Sequence, residues 1–250
     1  MNPLLSIITK ESKELLTSGR GLAWLLTASL ILSGFSLLLV GNTELSLLDN
    51  AQAVYMMMGT ITALGCLLAA ALGSDAVAGE RERGTLVALL LTPLTPGNIL
   101  TGKMGGLAIA WLIIYLISLP YLWAVGGTGQ NLVQAVAYLA LFGTPATLGF
   151  GFYSLALSAR RESVRSALVI ALITLIFLAS PLLIGPGLRH NPVGKAFDAI
   201  NPIAAALNSY DSAIIDSQSF GEQLPRLAVT LIWLGATAWW ARRSVRSLHP

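Results

Sequence analysis

Residues 51–74 read AQAVYMMMGTITALGCLLAAALGS, and residues 75–103 continue as DAVAGERERGTLVALLLTPLTPGNILTGK. The first stretch carries no charge and is long enough to cross a hydrocarbon core of about 30 Å as a helix, which takes roughly 20 apolar residues. The second sets charges directly against a leucine run. Five further uncharged runs, at 22–40, 104–125, 131–158, 166–185 and 227–241, repeat the character of the first, and every charged residue lies outside the six. Backbone polar groups find no water inside a bilayer, so a helix, which satisfies its own groups, is the economical way across. The sequence therefore predicts an all-α integral membrane protein with six transmembrane helices. The expected spans are about 22–40, 51–74, 104–125, 131–158, 166–185 and 225–242, within a single transmembrane domain over 1–250. Pro145 in the middle of the fourth run predicts a kink or an extended helix. The sixth run is short and bracketed by Arg226 and Arg242, whose side chains are expected to snorkel beside Trp239 and Trp240 at the interface.

Composition agrees with this reading. Of the 250 residues, 55% are hydrophobic and 11% charged, against roughly 25% charged in a soluble domain, and the mean hydropathy is +0.73. A net charge of +3 would point to nucleic acid only if the basic residues formed a patch, but they fall in short clusters between apolar runs, so no nucleic-acid partner is expected. Lys10, Lys13 and Arg20 precede the first run, Arg81, Arg83 and Lys103 follow the second, Arg160, Arg161 and Arg165 follow the fourth, and Arg242, Arg243 and Arg246 follow the sixth. These are 12 of the 15 basic residues. The positive-inside rule then places both termini in the cytoplasm. The 22–40 run exceeds the apolar core of a cleaved signal peptide and reads as a retained span. Before it, Leu4, Leu5, Ile8, Leu15 and Leu16 project to one side of a helix and Ser6, Lys10, Lys13 and Thr17 to the other, while Ile7 and Glu11 fall off the pattern. This predicts an amphipathic interfacial helix over 3–19 on the cytoplasmic leaflet, in contact with membrane lipids.

Several chemistries drop out. Cys66 is the single cysteine, and with His190 and His249 as the only histidines no metal-ligand spacing can be assembled, so neither a metal nor a cofactor site is expected in the chain. Met56, Met57 and Met58 point in different directions on a helix and read as packing. No ionisable residue lies within any span, which disfavours proton-coupled transport and intramembrane proteolysis. Residues 97–104 match a phosphate-binding P-loop at Gly97, Gly102 and Lys103, but Met104 replaces the hydroxyl residue and no strand precedes. Thr95-Pro96 instead reads as an N-cap followed by proline at the first helical position. No catalytic residue is expected. Small residues four apart, as at Gly59 and Ala63 or Gly102 and Gly106, and the glycines Gly143, Gly149 and Gly151 predict close helix packing, more within one protomer than between two.

The segment after the second run carries the functional signal. Leu86, Val87, Leu89, Leu90 and Leu91 make an apolar stretch too short to span and ended by Pro93, so it needs a surface to bury against, either the headgroup region or a soluble partner. The pattern Glu80-Arg81-Glu82-Arg83-Gly84-Thr85-Leu86, the leucine run, Pro93-Leu94 and then Ile99-Leu100 with Gly102-Lys103 resembles the permease subunit of type-2 ABC exporters. The layout of the whole chain is similar to that family. The resemblance implies a cytoplasmic coupling helix between spans two and three, with residues 76–91 contacting a separate cytoplasmic ABC ATP-binding subunit that binds ATP and Mg. It implies a second copy or a related permease as dimer partner, export of a substrate, and the plasma membrane of a prokaryote. Carried over to this sequence, the coupling contacts are Glu80, Arg81, Glu82, Arg83, Gly84, Thr85, Leu86, Leu89 and Leu90. Their charges either pair with the partner or form a solvated helix start. The alternatives are a secondary transporter or channel-like protein without ATPase subunits, and a membrane anchor that recruits a soluble partner.

Residues 186–226 are expected outside. Asn201-Pro202 followed by Ile203 and three alanines reads as an N-capped short apolar helix, similar to the external helices of that family. It serves either as a gate, with Asn201, Pro202 and Ile203 as candidate gate residues, or as a passive cap. Asn208 to Gln223 reads as exposed.

Overall fold

The computed structural model describes residues 8–13, 17, 19–41, 50–91, 95–127, 131–183 and 192–248, and among these every regular element is a helix. In chain order they are α1 (8–13), α2 (Gly19–Gly41), α3 (Asn50–Glu82), α4 (Leu86–Leu90), α5 (Pro96–Gly126), α6 (Leu132–Tyr138), a π-helical turn (Leu139–Gly143), α7 (Thr144–Arg160), α8 (Val164–Leu183), α9 (Pro192–Ile200), α10 (Pro202–Ile214) and α11 (Phe220–Arg246). Each apolar run lies on a helix, although residues 184 and 185 of the fifth are outside the described residues. Among the described residues, four stretches are long and apolar enough to cross a membrane: Gly21–Gly41, Asn50–Glu82, Pro96–Gly126 and Leu132–Arg160; Val164–Ser180 is a shorter apolar helix. Leu4, Leu5, Ser6, Leu15 and Leu16 of the expected interfacial helix also fall outside the described residues, whereas 8–13 is helical.

The helices outrun the uncharged stretches. With 33 residues, α3 is about 50 Å long at 1.5 Å per residue, longer than a hydrocarbon core of about 30 Å, and its last two turns carry Asp75, Glu80, Arg81 and Glu82. Likewise α5 starts at Pro96, with the Thr95 hydroxyl accepting from the Asn98 amide, as the N-cap reading predicted. In the fourth run the disturbance precedes Pro145. A proline cannot donate to the carbonyl one turn back, and the backbone relieves this by widening into the π-helical turn Leu139–Gly143 before α7 resumes.

At the centre, α3 packs along α7 on one side and α5 and α8 on others, and α11 lies on α7. Close approach depends on small residues. A Cβ at Gly73 would stand 2.7 Å from the Ser154 Cβ and 3.0 Å from the Gly151 carbonyl. One turn on, the Ser158 hydroxyl donates to the Ser74 carbonyl at 2.6 Å and accepts from the amides of Val77 and Ala78 at 3.0 and 2.8 Å. Backbone-to-side-chain bonds at that range fix the rotation of α3 against α7. Met57 and Met58 are fully buried in this core while Met56 faces out, which is the packing role read from their spacing. By contrast α2 exposes Leu22, Leu26, Leu30 and Leu37.

One expectation is corrected. Of the residues from Asn208 to Gln223, those at 215–217 and 219–222 are exposed as expected, but Ser209, Tyr210, Ser212, Ala213, Ile214 and Gln223 are buried. Their polar atoms find partners inside: the Tyr210 hydroxyl lies 3.1 Å from the Thr62 hydroxyl, and Arg226 donates to the Asn208 carbonyl, the Ser212 hydroxyl and Gln223 Oε1 at 2.7 to 2.8 Å. Arg226 therefore ties α10 to α11.

Candidate functional site

The segment after α3 begins with a tight stop. Gly84 has φ +70°, a left-handed conformation that glycine adopts without steric cost. The Thr85 amide donates to the Glu80 carbonyl at 2.9 Å and the Gly84 amide to the Arg81 carbonyl at 3.1 Å, the bond pattern of a Schellman C-cap. The chain then turns at once into α4.

Each charge in the loop has a distinct place. Arg81 donates to the carbonyls of Arg161 and Ala159 at the end of α7. Glu82 accepts from the Val164 amide at 2.8 Å, at the first residue of α8. A cation at a helix C-terminus and an anion at a helix N-terminus both complement the backbone dipoles. Adjacent residues of α3 thus hold both sides of the α7–α8 turn. Arg83 pairs with Asp75 at 3.3 Å, both side chains 43% exposed. Glu80 turns inward.

Around Glu80 lies an ionic cluster that joins three parts of the chain. Lys103 Nζ at the start of α5 sits 2.9 Å from Glu80 Oε1 and 2.6 Å from Glu11 Oε1 of α1, and its side chain is only 7% exposed. Lys10 Nζ stands 3.9 Å from Glu80, and the Thr85 hydroxyl donates to Glu80 Oε2. Burial opposes the charged form of Glu80, yet the bonds from Thr85 and Lys103 and the attraction of both lysines prevail and hold its carboxyl down at about 2. The glycines after Lys103 make the seat for α1, since a Cβ at Gly106 would stand 2.6 Å from the Glu11 Cβ and one at Gly105 2.8 Å from Ile8 Cγ1. In the P-loop near-match Lys103 thus addresses carboxylates of its own chain. Sequence reasoning missed this cluster. The signal was the carboxylate of Glu11 standing off the polar face of an amphipathic pattern, where it needs a cation.

Of the apolar run, Leu86 packs against the core and Leu90 is half-buried, while the side chain of Leu89 is outside the described residues. Val87 and Leu91 are 56% and 75% exposed. Being four apart they share a face, and that face looks outward. Thr85 is exposed as well.

At the other end of the bundle, Asn201 Oδ1 accepts from the amides of Ile203 and Ala204 at 3.0 and 3.3 Å, and its Nδ2 donates to the Leu178 carbonyl at 2.6 Å. With Pro202 and Ile203 it is buried. The N-cap thus bolts α10 to α8, distant from the loop.

Beside the ionic cluster opens a cavity of about 810 Å³. Trp24, Leu72, Leu107, Leu155 and Leu168 supply apolar wall, and Glu11, Asp75, Arg83 and Lys103 the charged part.

The family described as "ABC-2 family transporter protein" matches residues 5–239. A protein of Stutzerimonas stutzeri named "Probable ABC transporter permease protein NosY" is 38% identical over 125 residues, 45% of this chain and 43% of that protein. Its namesake in Pseudomonas aeruginosa is 31% identical over 175 residues, 64% of this chain and 62% of that protein. The matched stretches thus span about half the length of these relatives.

Proposed function

This chain belongs to the ABC-2 family of transporter proteins and is a multi-pass ABC transporter permease, and from that premise we propose how it works. It is the non-hydrolysing subunit of an exporter in the plasma membrane of a prokaryote. Six helices cross the bilayer, both termini lie in the cytoplasm, and two permease subunits pair around the pathway. A separate cytoplasmic subunit binds ATP and Mg and presses on the segment from Glu80 to Leu91.

The observation that carries this reading is the outward apolar pair Val87 and Leu91, mounted on a loop that is keyed into neighbouring helices. Its Arg81 and Glu82 grip the α7–α8 turn and its Glu80 grips α5 and Lys10. A push on α4 is then delivered to α3, α5, α7 and α8 together, and a rigid-body tilt of packed helices is a known route for switching access. Within the loop the roles divide. Val87, Leu91 and Arg83 face the partner; Glu80, Arg81, Glu82, Gly84, Thr85 and Leu86 hold the segment in shape. Leu89 and Leu90 complete the apolar surface on docking. The external helix α10, fixed by Asn201, Pro202 and Ile203, forms the gate region above the pathway.

Co-purification tests this. The wild-type permease retains its ATP-binding subunit, and Val87→Asp with Leu91→Asp releases it while the permease still inserts and elutes as a single species. Undiminished retention in the double variant would overturn the docking assignment.

A further inference from the structure

The C-terminal end of α11 gathers three arginines beside a tryptophan. Trp239, Arg242, Arg243 and Arg246 recur at helical spacing, so they share one face, and all four are exposed. The Arg243 guanidinium carbon lies 5.7 Å from the centroid of the Trp239 ring. We propose that this face binds an anionic phospholipid of the cytoplasmic leaflet, its phosphate diester held by Arg242, Arg243 and Arg246 and its glycerol ester region laid on Trp239. The inference rests on the crossing of α11 proposed above, with its C-terminal end in the cytoplasm, and goes beyond it, since it names a ligand class and the residues that hold it.

Three observations favour that occupant. The first is which cations are open. The ion pairs among the described residues join Lys10, Lys103 and Arg83 to Glu80, Glu11 and Asp75, and none reaches Arg242, Arg243 or Arg246. The stacking of Arg243 uses the flat face of its guanidinium and leaves the N–H edge for an anion. By contrast Arg160, at the end of α7, is committed within the protein: its Nε donates to the Ser244 hydroxyl at 2.9 Å and its guanidinium carbon stands 5.3 Å from the centroid of the Trp240 ring.

The second is chemistry. The planar fork of a guanidinium matches paired phosphate oxygens, and tryptophan is at home at headgroup level. A zwitterionic headgroup brings an ammonium against the arginines, whereas an anionic one brings none, and this selects the anionic lipid. The third is continuity. From Trp239 the same face runs back along α11 through Gly235, Ile232, Leu231 and Ala228, all exposed. A Cβ at Gly235 would meet nothing within 4 Å, so the stripe is notched one turn from Trp239, where an acyl chain lies. A soluble partner reaches the arginines but not this apolar stripe. A second copy joined face to face through a two-fold axis along the membrane normal sets arginines against arginines. A lipid with an anionic headgroup covers both parts at once.

The test uses the full-length permease in phosphatidylcholine nanodiscs, without ATP or its ATP-binding subunit. Traces of phosphatidylglycerol and phosphatidylcholine are compared, each with the same photoreactive group near the ester end of one acyl chain. One arginine near an anionic lipid is worth about 5-fold, so phosphatidylglycerol is expected to label the peptide holding Trp239 at least about 5-fold more than phosphatidylcholine does. Arg242→Gln, Arg243→Gln and Arg246→Gln combined abolish that excess, and added inorganic phosphate leaves it in place. Equal labelling by the two lipids, or an undiminished excess in the triple variant, overturns the proposal. Erasure by inorganic phosphate overturns it too and assigns the arginines to a soluble anion. Absence of any lipid preference, together with release of the ATP-binding subunit by the triple variant, assigns them to that partner instead. Should the triple variant fail to insert, the wild-type peptide map decides, and an excess spread evenly over the basic segments counts against the site. Labelling of α11 by both lipids alike sinks this inference alone, whereas no label from either lipid anywhere on α11 sinks its proposed crossing as well.

Discussion

Lys103 stands between Glu11 and Glu80 with almost no solvent contact, and that sets the consequences of losing it. Two carboxylates would be left facing each other without the ammonium, and removing one partner of a buried ion pair costs about 3–5 kcal/mol. Lys103→Met is therefore expected to lower the thermal midpoint of the detergent-purified protein sharply, whereas Lys10→Met, at 3.9 Å and with a 66% exposed side chain, changes it little. Glu80 adds a pH signature. Its carboxyl is held at about 2 against an ordinary 4.5, so the folded state binds the proton less readily than the unfolded chain. The stabilisation is complete above 4.5 and falls away as pH drops toward 2. The midpoint difference between wild type and Glu80→Gln is expected to stay constant from pH 5 to 8 and to shrink below pH 4. Gly84 is the third residue whose chemistry is set by position. At φ +70° a Cβ costs about 1–2 kcal/mol, so Gly84→Val should loosen α4 and weaken coupled ATPase activity more than Gly84→Asn, which tolerates the left-handed region.

At the scale of elements, Arg81 and Glu82 strap α3 to the α7–α8 turn, and under the proposed mechanism α3 would move that turn through them. Glu82→Lys replaces an acceptor with a cation at the N-terminus of α8 and reverses a favourable dipole contact. Insertion should be normal, with ATP hydrolysis in the assembled complex no longer stimulated by transport; ordinary coupling in that variant would argue against the strap. On the far side Asn201 performs two tasks at once, capping α10 and bonding the Leu178 carbonyl. Loss of an N-cap costs about 1 kcal/mol, so Asn201→Ala is expected to raise hydrogen exchange in Pro202–Ile214 while leaving the loop after α3 as protected as before. The π-helical turn had no separate sequence signal apart from Pro145, because proline announces a disturbed ladder and the surroundings choose between kink and widening.

Across the whole molecule, the sequence determined what depends on local pattern and on solvent. Uncharged runs announced the helices because a charge in hydrocarbon is expensive, and Thr95-Pro96 and Asn201-Pro202 announced two helix starts because a cap needs only its own neighbours. Only the tertiary structure decided which group within the chain each charge meets. Glu80 and Glu82 are two residues apart, yet one turns to Lys103 and the other to the α8 amide, and no local rule separates them. The polar stretch after Asn208 read as exposed throughout, but its first half is buried, because burial depends on whether distant groups such as Thr62 and Arg226 arrive to satisfy it. The cavity has the same origin, since it is the space left where α1, α2, α3, α5, α7 and α8 meet. Local pattern determines which segments become helices; the partner of a buried charge or hydroxyl is set by long-range packing, to which one segment of sequence contributes half.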